Sequence, residues 1–289
     1  MSPEVTQVAE SAASDHAHAR SRLAELLDRA AGGEFPPTDG AVEILAQPAA
    51  RDAGVIALTA FSVVFADTEP GWIAAQLPPD DLAAPLSASF LHALGQRLDR
   101  QVGSIDVLTC GEPLPGAPPP ELKLVEIDPA RPGLAQPGPP PDELTAGGRT
   151  PSGLTPTAAT PTAPTPTAPT PTAPTPTGLY TRIARALRYR DDVRAWQAAG
   201  GVIALGRGVA GRWETAIEVD PQFRGAGLGR RLASAARHLV PDGAPVWAQI
   251  APGNAASVRA FLWAGFRPIG AEVLLSPAHS HAAAEPGQS

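Results

Sequence analysis

From Pro156 to Thr175 the chain reads PTAAT PTAPT PTAPT PTAPT, a five-residue repeat that offers no apolar face to bury. Such a sequence favours polyproline II or solvated coil, so any core must be built from the residues on either side of it. Twenty of the 35 prolines fall between Pro113 and Pro176, which makes the proline excess local. The rest of the chain is long enough for one or two cores. A simple repeat of this kind fits a passive spacer or insertion better than a docking motif for a PxxP-binding partner.

Charge is segregated as well. Residues 1–177 carry 9 Arg and Lys against 21 Asp and Glu, whereas residues 178–289 carry 13 Arg against 8 acids. The basic C-terminal part points to an anionic partner. Because its arginines are scattered, with no basic run and few aromatics, a small phosphorylated ligand fits better than nucleic acid. Cys110 is the single cysteine, so no intrachain disulfide can form, and His16/His18 and His279/His281 do not have metal-ligand spacing. No metal is expected. The N-terminus has neither a basic nor an apolar leader segment, and no run of about 18 apolar residues occurs, so the expectation is a soluble cytoplasmic protein without a membrane partner.

Leu23, Leu26 and Leu27, followed by Gly32-Gly33, mark a short amphipathic helix. GVIALTAFSVVFA from Gly54 reads as a buried strand. Leu86, Phe90, Leu91, Leu94 and Leu98 share a helical face, and Ser104–Thr109 reads as a second strand. Glu121–Asp128 alternates imperfectly like a strand. Beyond the repeat, the pattern predicts a helix over Tyr180–Ala198 with Ile183 and Leu187 inward. Strands follow at Val202–Leu205 and Trp213–Val219, then a helix over Gly227–Leu239, a strand over Pro245–Ile250 and a helix over Asn254–Trp263. A final strand pair is expected at Phe266–Ile269 and Ala271–Leu275.

Two glycine-rich segments compete for a phosphate. Gly206-Arg-Gly208-Val-Ala-Gly211 fits the spacing G-x-G-x-x-G, but RWETAIEV follows it and alternates like a strand, so it reads as a hairpin turn. The second segment, Arg224-Gly225-Ala226-Gly227-Leu228-Gly229-Arg230, follows a strand and opens a helix. Small residues there let an anion approach the exposed N–H groups of the first helical turn, whose partial positive charge adds to that of the arginines. A nicotinamide site is disfavoured, since Arg230 stands where the third spaced Gly or Ala belongs.

The order strand, Arg-x-x-Gly-x-Gly, helix, strand, Asn-x-x-Ser, helix, Gly-Phe, strand resembles the GNAT superfamily of acetyl-CoA-dependent N-acyltransferases. Arg224, Gly227 and Gly229 fill the first motif, and Asn254, Ser257, Gly265 and Phe266 the second. The resemblance is strong from about Glu214 to Leu275. It implies an α/β fold in which a mixed twisted sheet with flanking helices binds acetyl-CoA as cosubstrate. By that resemblance the strands Glu214–Asp220 and Pro245–Ile250 splay to admit the pantetheine arm. N–H groups from Gly225 to Arg230 would hold the pyrophosphate, and a backbone N–H near Ile217 or Val219 would polarise the thioester carbonyl. Asn254, Ser257 and Phe261 would line the cofactor.

The acceptor amine must lose a proton before attack, and a carboxylate in the cleft can take it. Glu218 is the preferred candidate, because strand alternation sets it apart from the core-facing Ile217 and Val219, and Glu214 is the second. The family often places a proton-donating Tyr seven residues after the motif asparagine, where this chain has Phe261. Either another donor serves, Tyr180 and Tyr189 being the only tyrosines, or solvent does, or transfer is slow. Two functions stay open: acyl transfer to an amine of a small molecule or protein, and a CoA-binding regulatory or structural module without turnover.

The expected organisation is a tail and short helix over 1–40 and a small α/β unit over 41–112. A GNAT-like domain follows over 121–276 with a disordered Pro/Thr-rich insert at 129–178, then a disordered tail over 277–289. The unit at 41–112 is either a degenerate GNAT-like repeat or an unrelated packing partner. Glu121–Asp128 is expected to be the first strand of the C-terminal domain.

Overall fold

The computed structural model describes residues 3–78, 81–131 and 180–277. The proposed insert lies almost wholly outside these residues, as does the C-terminal tail. The helix expected around Leu23 is the end of a much longer one, α1 (Pro3–Ala31). A short strand, β1 (Val42–Leu45), precedes β2 (Ala53–Leu58) and β3 (Phe61–Phe65). The apolar run from Gly54 is therefore a hairpin and not one strand. Its turn is marked by no Gly or Asn, since Ala60 itself adopts φ +50°. After α2 (Pro70–Gln76) comes α3 (Ala88–Leu98), which buries Phe90, Leu91 and Leu94 as its spacing predicts, and then β4 (Arg100–Gly111).

β5 (Val125–Ile127) is shorter than the predicted strand and pairs antiparallel with β6. The helix predicted over Tyr180–Ala198 divides into α4 (Thr181–Tyr189) and β6 (Asp191–Ala198). Asp192, at φ +49°, sits where the β6 register shifts, and Leu187 is 36% exposed instead of inward. Then follow β7 (Gly201–Arg207), β8 (Trp213–Val219), α5 (Leu228–Leu239), β9 (Val246–Ile250) and α6 (Ala255–Trp263). The expected final strand pair is one long strand, β10 (Phe266–Pro277), whose register shifts between Pro268 and Gly270 and again between Val273 and Leu275. At Gly270 a side chain would run into the Ala57 carbonyl, so the irregularity sits where neighbouring backbone comes closest.

Among the described residues, ten strands form a single mixed sheet in the order β1-β3-β2-β10-β4-β9-β8-β7-β6-β5. The two halves of the chain exchange strands within it. β4, from the N-terminal half, lies between β9 and β10, while the outer part of β10 pairs on its other edge with β2. A cut between residues 112 and 121 therefore divides the sequence without dividing the sheet. Helices cover both faces. Leu23 and Leu27 of α1 pack with Phe65, Leu108, Cys110 and Trp247, and α3 packs on Val55, Val273 and Leu275. Leu232 and Ala236 of α5 join Trp213, Phe261 and Phe266, and α4 covers Val202 and Ala204 through Ile183. No described helix is long and apolar enough to cross a membrane.

Candidate active site

β8 and β9 run parallel but pair only at Trp213 with Val246 and Glu214 with Trp247, after which they diverge. The other edges of both strands are taken, by β7 and β4. The direction of the free β8 groups follows from one bond. Asp220 N–H donates to the Gly200 carbonyl at 2.9 Å, so even-numbered residues of β8 point their backbone groups at β7 and odd-numbered ones at the gap. Ile217 and Val219 thus turn their N–H groups into the opening. The gap widens into a cleft of about 310 Å³ that includes Thr215, Ile217, Ile250, Asn254, Ser257 and Phe261.

At the end of β8, the Asp220 carboxylate accepts from Gln222 N–H at 3.1 Å and tightens the turn into Arg224. Gly225 and Gly227 adopt φ +81° and +78°, a region that disfavours side chains. α5 then begins at Leu228 with no side chain capping its N-terminus. Arg224, Gly225, Ala226 and Arg230 are exposed, while Leu228 is buried and anchors the turn. An uncapped helix start, opened by glycines and flanked by arginines, has the donors and the field for a pyrophosphate. This turn meets the second motif closely: a Cβ on Gly229 would lie 3.7 Å from Val219 and 3.9 Å from Ala260 of α6. Arg230 stacks over the exposed Trp263, 5.1 Å from its ring centroid.

Asn254 caps α6 by accepting from Ser257 N–H at 3.1 Å. Phe261 is 4% exposed and sits edge-on to Phe266 with centroids 4.8 Å apart, so its place is fixed by core packing. Tyr189, at the end of α4, lines the cleft, whereas Tyr180 packs against the cluster around Ile183 and does not. Cys110 is buried, which pushes its thiol up to about 12 and leaves it unreactive.

Neither carboxylate singled out from the sequence stands free in the cleft. Glu218 accepts from Thr181 Oγ1 at 2.9 and 3.0 Å and from Arg182 N–H at 3.1 Å, so it satisfies the start of α4 and does not line the cleft. Glu214 does line it, but is 3% exposed and held by Arg190 Nε at 3.0 Å and Arg212 Nε at 2.9 Å. Burial alone would raise its carboxyl. Arg212 and Arg190 outweigh burial and hold it below the usual range, which makes it a weak base.

The partners of Glu214 are not among the residues expected from the sequence. Arg212 Nη2 reaches Glu272 Oε1 and Oε2 at 2.8 and 2.7 Å, and the Gln249 amide donates to both carboxylates. Burial raises the Glu272 carboxyl despite Arg212, and the Glu214 charge adds to the effect. The signal for this network was present: Gln249 and Glu272 interrupt the apolar strands VWAQI and AEVLL. A polar residue in a central strand needs a buried partner. Asp52, just before β2, also lines the cleft and was missed, because nothing in its local sequence distinguishes it.

Residues 198–275 match the family described as FR47-like protein. The matched segment is less than half of the chain and takes in both motifs. Among solved structures the chain is similar to a GCN5-related N-acetyltransferase from Kribbella flavida. The identity is 16% and the TM-score 0.34, over 67% of this chain and 65% of that one, so the likeness spans just under two thirds of that neighbour's length. No curated protein matches.

Proposed function

We propose that the protein transfers an acetyl or short acyl group from CoA to an amine. The observation that carries this reading is the divergence of β8 from β9 after two residue pairs, beside the uncapped, glycine-lined start of α5. That juxtaposition offers a slot for an extended pantetheine arm and, at its end, a site for the attached pyrophosphate. The N–H groups of residues 225–230 and the guanidinium groups of Arg224 and Arg230 would hold the phosphates, with acetyl-CoA as cosubstrate. Val219, whose carbonyl accepts from Arg224 Nε at 3.2 Å, ties the phosphate loop to the slot.

Amine attack places negative charge on the thioester oxygen. A fixed N–H on Ile217 or Val219, aimed into the slot, stabilises that charge, an effect commonly worth about 3–4 kcal/mol per donor. The departing thiolate needs a proton that Phe261 cannot give, and Tyr189 is the tyrosine on the cleft wall. The position of Phe261 also supports a second reading, a CoA-binding module without turnover. Titration calorimetry with acetyl-CoA, followed by thiol release against a panel of primary amines, separates the two. Binding with transfer supports the enzyme, and binding with none supports the module.

A further inference from the structure

Four carboxylates line the cleft: Asp52, Asp106, Glu214 and Glu272. Glu214 and Glu272 are committed to Arg212, and Asp106 accepts from Ser104 Oγ at 2.8 Å. Asp52 differs. Its side chain is 8% exposed, yet its nearest cation is Arg51 Nε at 3.3 Å, and no described group makes a well-directed hydrogen bond to its carboxylate. Arg51 instead spends its terminal nitrogens on Asp191, at 2.7 and 2.8 Å. Its oxygens are not among the fully enclosed polar atoms left without a partner, so they open on the cleft, where water or a ligand can complete them.

The loop bearing Asp52 is firmly held. Arg100 donates to the carbonyls of Ala50, Arg51 and Leu275 at 2.6, 2.9 and 3.0 Å, which pins the loop to the end of β10. The Asp52 N–H donates to Ala49 O at 2.9 Å. A group so fixed at the edge of an open cleft is preorganised to receive a cation.

We propose that Asp52, supplied by the N-terminal half of the chain, receives the acceptor's ammonium group and takes its proton. This rests on the acyl-transfer reading. The proton passes to an Asp52 Oδ, and the neutral nitrogen adds to the thioester carbonyl carbon. The C–N bond forms and the C–S bond breaks. Tyr189 gives its proton to the departing thiolate and recovers the second amine proton, and Asp52 returns its own to water. Burial pushes the Asp52 carboxyl up to about 6, with the Glu214 charge adding to the rise and Arg51 and Arg212 opposing it. Arg100 is the further charge close enough to feel Asp52. A carboxylate in that range is a better base at neutral pH than an ordinary one. Strand exchange between the halves then has a catalytic consequence, since it brings residue 52 to a slot built from residues 213–261.

The test compares the full chain with Asp52→Asn for acetyl-CoA affinity and for thiol release with a primary-amine panel from about pH 5 to 9. The variant is expected to bind acetyl-CoA within about twofold of wild type. It should lose about 100-fold or more in kcat/KM, together with the wild-type acid limb near the Asp52 value. An active wild type whose variant keeps both rate and acid limb overturns the role of Asp52 alone. A wild type that binds acetyl-CoA and acylates no amine overturns the acyl-transfer reading and the role with it.

Discussion

Arg212, in the turn before β8, donates from Nη2 to both carboxylate oxygens of Glu272 of β10, at 2.8 and 2.7 Å, across the two intervening strands β9 and β4. Both side chains are almost fully buried, and Arg212 also holds Glu214. Removing one member leaves buried charge behind, a loss of about 3–5 kcal/mol. Arg212→Met is therefore expected to shift the urea midpoint strongly downward. The double variant Arg212→Met with Glu272→Met should recover part of that loss, because less uncompensated charge remains.

Asp52→Asn should stabilise the fold at neutral pH while it impairs transfer. The Asp52 carboxyl stands at about 6 in the folded chain against an ordinary 3.8, so between those values the folded state keeps a proton that the unfolded state has lost. Stability falls as pH rises through that window, and the deficit is complete above it. Asparagine removes the deficit. Denaturation at about pH 8 should show the variant more stable by about 1–3 kcal/mol, with the gap closing below about pH 4.

Tyr189→Phe tests the thiolate's proton donor. The ring and its contacts with Arg185 and Arg188 are retained, so only the hydroxyl is lost. With an accepted amine, kcat is expected to fall at least about tenfold while acetyl-CoA affinity holds. Tyr180→Phe should leave both unchanged, as Tyr180 lies off the cleft.

Much of the C-terminal half was legible because its elements are short and sharply bounded. Pro221 and the glycines from Gly225 to Gly229 mark a strand-to-helix turn, and Asn254 marks the next helix start. The division of Tyr180–Ala198 was not legible. Helix α4 gives way to β6 after a single residue, Arg190, with no Gly or Pro to signal it. The fate of Glu218 lay out of reach for a different reason. Alternation sets the face of a strand, but it does not say that the start of α4 covers that face. Asp52 became visible as a site residue only through the exchange of β4 and β10, a pairing between segments more than 150 residues apart.

The slot and its phosphate loop are tested most directly by calorimetric titration of acetyl-CoA into the full chain and into Gly227→Val. Gly227 adopts φ +78°, and a Cβ there would meet Arg230 Nη2 at 3.2 Å, so valine distorts the start of α5 where the pyrophosphate is to sit. Wild type is expected to bind with a saturable heat, and the variant, with an unchanged far-UV spectrum, at least about tenfold more weakly given a backbone strain of about 1–2 kcal/mol. Equal affinity of the two proteins, or no binding by wild type at millimolar acetyl-CoA, would contradict the account.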